Sequence, residues 1–123
     1  MDAELPRKIE KPWGHELIFA QTEKYAGKLL FVKKGYRLSL HYHDEKDETF
    51  YCLEGQAIVE TEGTSGEMVK TDITNGQCYR VAPKSKHRLQ ATEDTTLFEV
   101  STPELDDVVR LDDDFGRVQP GGK

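Results

Sequence analysis

The sequence predicts an all-β, single-domain sandwich or barrel, on three observations. Short β-rich runs follow one another through the middle of the chain, turn-forming separators recur between them at regular spacing, and no ten-residue amphipathic helix intervenes. The runs are KLLFV (28–32), RLSLHYH (37–43), ETFYCLE (48–54), AIVETE (57–62), MVKTDI (68–73), QCYRVA (77–82), HRLQAT (87–92) and TTLFEVS (95–101). Between them stand KKGY, DEKD, EGQ, EGTSG, NG, PKSK and TEDT, clusters of Gly, Asp, Asn and Pro that favour turns. At 123 residues the chain is long enough for one core and too short for two ordinary ones.

The ends differ from this middle, which divides the chain into an N-terminal arm with the first strands (1–27), a barrel (28–102) and an acidic tail (103–123). Trp13, in KPWG, is expected in the core or at an interface. The tail is expected to form a short helix near 104–109, anchored by Val108, Val109, Leu111 and Phe115, before a flexible Gly-Gly-Lys terminus.

With 23 acidic and 17 basic residues the formal net charge is −6, which opposes a non-specific grip on nucleic acid or an anionic membrane. Arg37, Lys86, Arg88, Arg110 and Arg117 can still gather a small anion, because a site feels its neighbours more than the total charge. The first twenty residues are charged throughout and contain no signal-like apolar core, and Cys52 and Cys78 form no C-x-x-C pair. A soluble, unprocessed cytoplasmic protein with reduced thiols is the expectation.

His41 and His43 lie two apart in a strand-like run, so both imidazoles point to one face, and one face of a barrel strand is the lumen. DEKD reads as a hairpin turn, which makes Glu48 the start of the return strand, close to His43. His87 opens a later strand just after PKSK, at a comparable barrel end. Three imidazoles and one carboxylate suit a single divalent transition metal (Zn, Mn, Fe, Ni or Co) far better than calcium or magnesium. His15, alone on its strand, is given no role.

Read as one string, Gly35, His41, His43, Glu48 and Gly55 match the first motif of the cupin superfamily, and GQCYRVAPKSKH resembles the second, with Ala82 and Lys84 where that motif usually has Pro and Gly. The resemblance implies a double-stranded β-helix, or jelly-roll barrel, with His41, His43, Glu48 and His87 as metal ligands. More narrowly, KPWG, RLSLHYH, GQCYRVAPKSKHRL and VVRLDDDFGR resemble the cupin domain of type II phosphomannose isomerases. That implies aldose–ketose isomerisation of a sugar 6-phosphate on a divalent metal. Arg88, Arg110 and Arg117, with Arg37, are then the candidates for phosphate, and Glu99 and Arg88 the candidate catalytic residues. His41 stands where those isomerases commonly carry glutamine, and a third imidazole is the pattern of cupin oxygenases. A metal-dependent dioxygenase and a non-catalytic sugar- or anion-binding barrel are the alternatives. A homodimer through edge strands is expected, with the LLFV run and Trp13 as contributors to the interface or the core.

Overall fold

A computed structural model describes residues 2–118, and among them all regular structure is β. Eleven strands run in chain order: β1 (Arg7–Lys11), β2 (Gly14–Gln21), β3 (Ala26–Val32), β4 (Leu40–Tyr42), β5 (Glu48–Glu54), β6 (Gln56–Glu62), β7 (Met68–Thr74), β8 (Cys78–Val81), β9 (His87–Ala91), β10 (Thr95–Ser101) and β11 (Val109–Asp112). They form two antiparallel sheets, one in the order β1-β2-β3-β10-β5-β8 and the other β11-β4-β9-β6-β7. Every run expected from alternation lies on a strand, and β4 is shorter than RLSLHYH because only Arg37 of its first half makes a bridge, to Gln90.

Side chains alternate across each strand, and the inward set changes character along the barrel. At one end Val32, Cys52, Ala57, Ala91 and Leu97 pack into a dry core with Trp13, Leu30, Phe50, Val59, Ile73, Val81 and Leu89. Toward the other end the same inward positions become Lys28 on β3, Glu48 on β5, His87 on β9 and Glu99 on β10, all buried. The fold thus supplies an apolar floor and a polar cavity from single strands. Gly55, which closes the first motif, has φ of +121°, and a Cβ there would stand 2.6 Å from the Asp94 carbonyl oxygen, so the tight β5–β6 turn admits only glycine.

Two sequence expectations are corrected. DEKD is not a hairpin turn: β4 lies between β11 and β9, whereas β5 lies between β10 and β8 in the other sheet. Residues 44–47 therefore cross between sheets, a path that uses the same turn-forming residues as a hairpin. Nor does the 104–109 segment form a helix; it makes turns and then enters β11, which pairs with the open edge of β4 through Val109↔Tyr42 and Arg110↔His41. Of its expected anchors, Val109 is buried and Phe115 packs on the core, while Leu111 is exposed. The Gly-Gly-Lys terminus lies outside the described residues.

Candidate metal centre

His41 and His43 project from the β4 end into the cavity, and His87 sits directly across the ladder from His41. One ring nitrogen of each lies within 4.8 Å of the others. The tautomers are fixed by the backbone. His41 Nδ1 is 2.9 Å from the Ser39 carbonyl, His87 Nδ1 is 2.8 Å from the Ser85 carbonyl, and His43 Nδ1 bonds the Asp107 carbonyl. A carbonyl only accepts, so each Nδ1 must donate, and in the neutral ring each Nε2 then carries a free lone pair.

Two of those lone pairs face Glu48, whose carboxylate oxygens are 3.5 Å from His43 Nε2 and 3.5 Å from His87 Nε2. Both of these ring nitrogens are buried without a hydrogen-bond partner. Lone pairs facing a carboxylate repel unless a cation stands between them, and backbone-anchored imidazoles are the arrangement that orients metal-binding histidines. The donor set of three imidazoles and one carboxylate fits a divalent transition metal. Burial, reinforced by the neighbouring His87 and His43, pushes the His41 imidazolium well below its usual range, which keeps the ring in its ligating form. Burial alone would raise the Glu48 carboxyl, but its charged surroundings, with the Lys46 ammonium at 2.9 Å, hold it well below the ordinary carboxylate range.

The second motif works despite its altered turn. Lys84 adopts the left-handed φ of +67° where a glycine would be at ease, and its N–H donates to the His43 carbonyl at 2.6 Å. This ties the turn before His87 to the strand that carries the other two imidazoles.

Asp107 locks the crossing segment. Its carboxylate accepts the N–H groups of Asp44 (3.0 Å), Glu45 (2.7 Å) and Lys46 (3.0 Å), while its carbonyl holds His43. Asp107→Ala is expected to destabilise the fold by about 2–3 kcal/mol, because three N–H groups lose a charged acceptor. Thermal denaturation checks the loss. Metal affinity should fall as well, since residues 44–46 link His43 to Glu48.

Beyond Glu48 a buried chain of charges lines the cavity wall. Lys46 Nζ is 2.9 Å from Glu48 and 3.0 Å from Glu99, and Lys28 is 3.9 Å from Glu99 and 3.4 Å from Glu16. Glu99 thus faces the lumen, on the same side of β10 as Leu97, and burial, then the Glu48 charge, raises its carboxyl above the usual range against the pull of Lys46 and Lys28. Lys46 is held charged: burial would lower it, but Glu99 and Glu48 outweigh that.

A second group of cations lines the same cavity, of about 300 Å³. Arg110 projects from β11, Lys11 from β1 and Arg117 from the segment after β11. Arg117 is clamped by Asp113 at 2.7 and 3.0 Å, whereas the buried Arg110 Nε has no partner. Burial, then the Arg117 charge, lowers the Arg110 guanidinium from its usual range, and Lys11 is lowered by burial and by Lys28, Arg117 and Arg110. Cations crowded to this degree attract an anion.

The remaining sequence candidates lie elsewhere. Arg88 is on the opposite face from His87: its Nε donates to the Leu38 carbonyl and its amino groups to Asp112, so it braces β9 against the segment that carries β11 and does not line the cavity. Arg37 is held by Asp114 at 2.7 Å on the surface, and Lys86 pairs with Glu62. Lys46, Lys28, Glu16 and Lys11 went unread in the sequence. Lys28 and Glu16 alternate with inward apolar residues, which is the signal that finds them.

Two antiparallel sheets with three histidines gathered in one cavity, and Glu48 beside two of them, define a β-barrel whose site is compatible with a divalent metal. The family model described as "Cupin domain" matches residues 28–101, and the chain belongs to the cupin family. It is 31% identical over 117 residues to the xanthan biosynthesis protein XanB of Xanthomonas campestris pv. campestris, covering 91% of this chain and 24% of that protein. It is 26% identical to a mannose-1-phosphate guanylyltransferase of Sinorhizobium fredii, covering 98% of this chain and 23% of that one. The chain thus spans about a quarter of the length of these curated relatives. Among solved structures, KdgF from Halomonas sp. superposes with a TM-score of 0.72 at 22% identity, over 82% of this chain and 91% of that one. Oxalate decarboxylase from Lactobacillus farciminis superposes with a TM-score of 0.74 at 18% identity, over 90% of this chain and 37% of the other. Both likenesses are of fold.

Proposed function

We propose that this barrel is a metal-dependent isomerase of a phosphorylated sugar, acting as a cytoplasmic homodimer. The observation that carries this reading is the pairing, in one cavity, of the His41–His43–His87–Glu48 donor set with the Lys11–Arg110–Arg117 cation cluster. A ligand with adjacent oxygens at one end and a phosphate at the other has a partner for each. The relatives named for mannose 1-phosphate chemistry support the substrate class. Free Cys52 and Cys78 agree with a reducing setting, and no helix of the described residues is long and apolar enough to cross a membrane.

When bound at the four ligands, a divalent metal supplies Lewis-acid polarisation of the sugar's carbonyl and neighbouring hydroxyl oxygens. Glu99 takes the proton from the carbon beside the carbonyl, and the electrons of that C–H bond become the double bond of an enediol. The carboxylic acid returns the proton to the adjacent carbon while the hydroxyl proton passes between the two oxygens. Lys46 keeps the Glu99 carboxylate aimed, and Arg110 with Arg117 and Lys11 takes the phosphate, for which a guanidinium's paired donors are suited.

The test is solvent-deuterium incorporation into fructose 6-phosphate at C1 and mannose 6-phosphate at C2 by metal-loaded protein. Incorporation is expected, lost in Glu99→Gln. Arg110→Met should raise KM for the phosphorylated sugar at least about tenfold while kcat moves by less than about threefold, the split expected of a group that binds without reacting. No exchange with any hexose phosphate would reject the reading.

One observation favours a dioxygenase instead: His41 joins the cluster as a third imidazole, which makes the site nitrogen-rich and suited to iron. Oxygen uptake by iron-loaded but not zinc-loaded protein, with small diketones or thiols, would establish that second reading. A thermal shift by sugar phosphates without turnover would instead mark a binding barrel.

A further inference from the structure

One buried pair in the cavity wall has no task in the isomerisation step. Lys28 on β3 and Glu16 on β2 are 8% and 9% exposed, and both line the cavity. Lys28 Nζ reaches Glu16 at 3.4 Å and Glu99 at 3.9 Å. Of the three donors of the ammonium, one makes a long hydrogen bond among the described residues, which leaves N–H groups for a ligand.

The pair has a definite place along the wall. The adjacent strands β5, β10, β3 and β2 each turn an ionisable side chain into the cavity: Glu48, Glu99, Lys28 and Glu16. Lys28 stands directly across the ladder from Glu99. Glu16, one strand further on, acts electrostatically on Lys11 and Arg110. The wall thus leads from the metal ligands to the anion-binding cations, with Lys28 between them. A sugar phosphate held at both ends lies along it, its C1 and C2 oxygens at the metal site, its phosphate beyond Glu16 and the middle of its chain against Lys28.

Such a sugar arrives in the wrong form. An aldohexose 6-phosphate in water is a closed ring, a hemiacetal in which the C5 oxygen is bonded to C1. The ring has no carbonyl to polarise and no acidic C–H beside one, so it must open before Glu99 can act.

We propose that Lys28 is the acid that opens the sugar ring. The inference takes its substrate from the isomerase reading and supplies the step that precedes it. The Lys28 ammonium gives a proton to the ring oxygen, and the C1–O5 bond breaks with its electron pair going to that oxygen. The O–H electrons of the C1 hydroxyl become the second bond of the carbonyl, and the hydroxyl proton goes to the Glu99 carboxylate. Lys28 is then an amine and Glu99 a carboxylic acid. One proton passing from Glu99 to Lys28 restores the ion pair, and with it the base that C–H abstraction needs. Glu16 is a positioning residue whose hydrogen bond holds Nζ. A lysine suits this place and an arginine does not, because a guanidinium stays protonated.

The experiment compares two sugars on metal-loaded protein. Mannose 6-phosphate must open, whereas fructose 6-phosphate lacking its C5 hydroxyl has no group with which to close a ring. Solvent-deuterium exchange is followed at C2 of the first and C1 of the second. Lys28→Arg keeps a cation between Glu16 and Glu99 but does not release a proton, and Lys28→Met removes the cation as well. In both variants kcat/KM for mannose 6-phosphate relative to the open analogue should fall at least about tenfold. A positioned acid contributes about 10²–10⁴-fold, of which uncatalysed opening makes up part. The ratio cancels effects on Glu99 or the metal that act on both sugars alike. Melting temperatures confirm folding, and Lys28→Arg carries the test should Lys28→Met unfold. Magnetisation transfer between the anomers of mannose 6-phosphate reads opening itself, and the wild type but neither variant should accelerate it. An unchanged ratio, or no anomer exchange by the wild type, would overturn the role of Lys28 and leave the isomerase reading standing. Anomer exchange that depends on Lys28, with no deuterium incorporated into either sugar, would overturn the isomerase reading and leave the ring-opening acid.

Discussion

Replacing Lys46 by Met should lower the stability of the metal-free protein by about 3–5 kcal/mol, the range for removing one partner from a buried ion pair. Lys46 Nζ lies between the Glu48 and Glu99 carboxylates at 2.9 and 3.0 Å, and all three side chains are buried. Without it two anions share a low-dielectric wall, with only Lys28, 3.9 Å from Glu99, nearby. For a chain of this size the loss corresponds to roughly 10–20 °C in Tm. Two further measurements separate this cause from a packing defect. Lys46→Met combined with Glu99→Gln should recover at least about half of the lost stability, since the second change removes the unpaired charge. Saturating divalent metal should recover part of it as well, by giving Glu48 a new cation. A Tm within about 2 °C of the wild type would contradict the burial of this charge network.

His87→Ala should weaken binding of a divalent transition metal by more than about hundredfold. Loss of a residue that merely orients a ligand typically costs 10–100-fold, and His87 is a ligand itself. His15→Ala is the control, because His15 stacks on Phe31 at 5.4 Å on the outer face of the sheet and should leave affinity unchanged. Metal titration followed by calorimetry reads both. Equal affinities for wild type and His87→Ala would remove His87 from the site. Ser85 and Asp107 hold the imidazoles through backbone carbonyls, so side-chain substitution at Ser85 should matter little, in contrast to Asp107.

Strand alternation made much of this legible in the sequence. The i, i+2 spacing of His41 and His43 put both imidazoles on one face, and the placement of His87 at the start of a strand brought it opposite His41. Glu99 was legible only in part: it alternates with Leu97, but a lone strand carboxylate reads as readily as an exposed one, and its burial follows from Lys46 and Lys28 far away in the chain. The same rule excludes Arg88, which follows an inward His87 and must therefore face outward, where it binds Leu38 and Asp112. Lys46 was hidden for a different reason. A lysine inside DEKD has the composition of a solvated turn, and its burial follows from Glu99, far along the chain on β10, which no local pattern connects to it. Asp107 was hidden likewise, as one acid among many in an acidic segment, although it anchors the turn at residues 44–46. The crossing between sheets at DEKD was illegible because a hairpin and a crossover both require turn-formers, and only the partners of β4 and β5 tell them apart.

The central claim is that four side chains from strands or strand ends far apart in the chain grip one cation. Titration of the protein with Co(II), followed by X-ray absorption at the cobalt edge, tests it most directly. Saturation at one equivalent, with a shell of nitrogen and oxygen donors in which three imidazoles are resolved, is the expected result. Binding without a defined stoichiometry, or a shell that lacks imidazole, would contradict it.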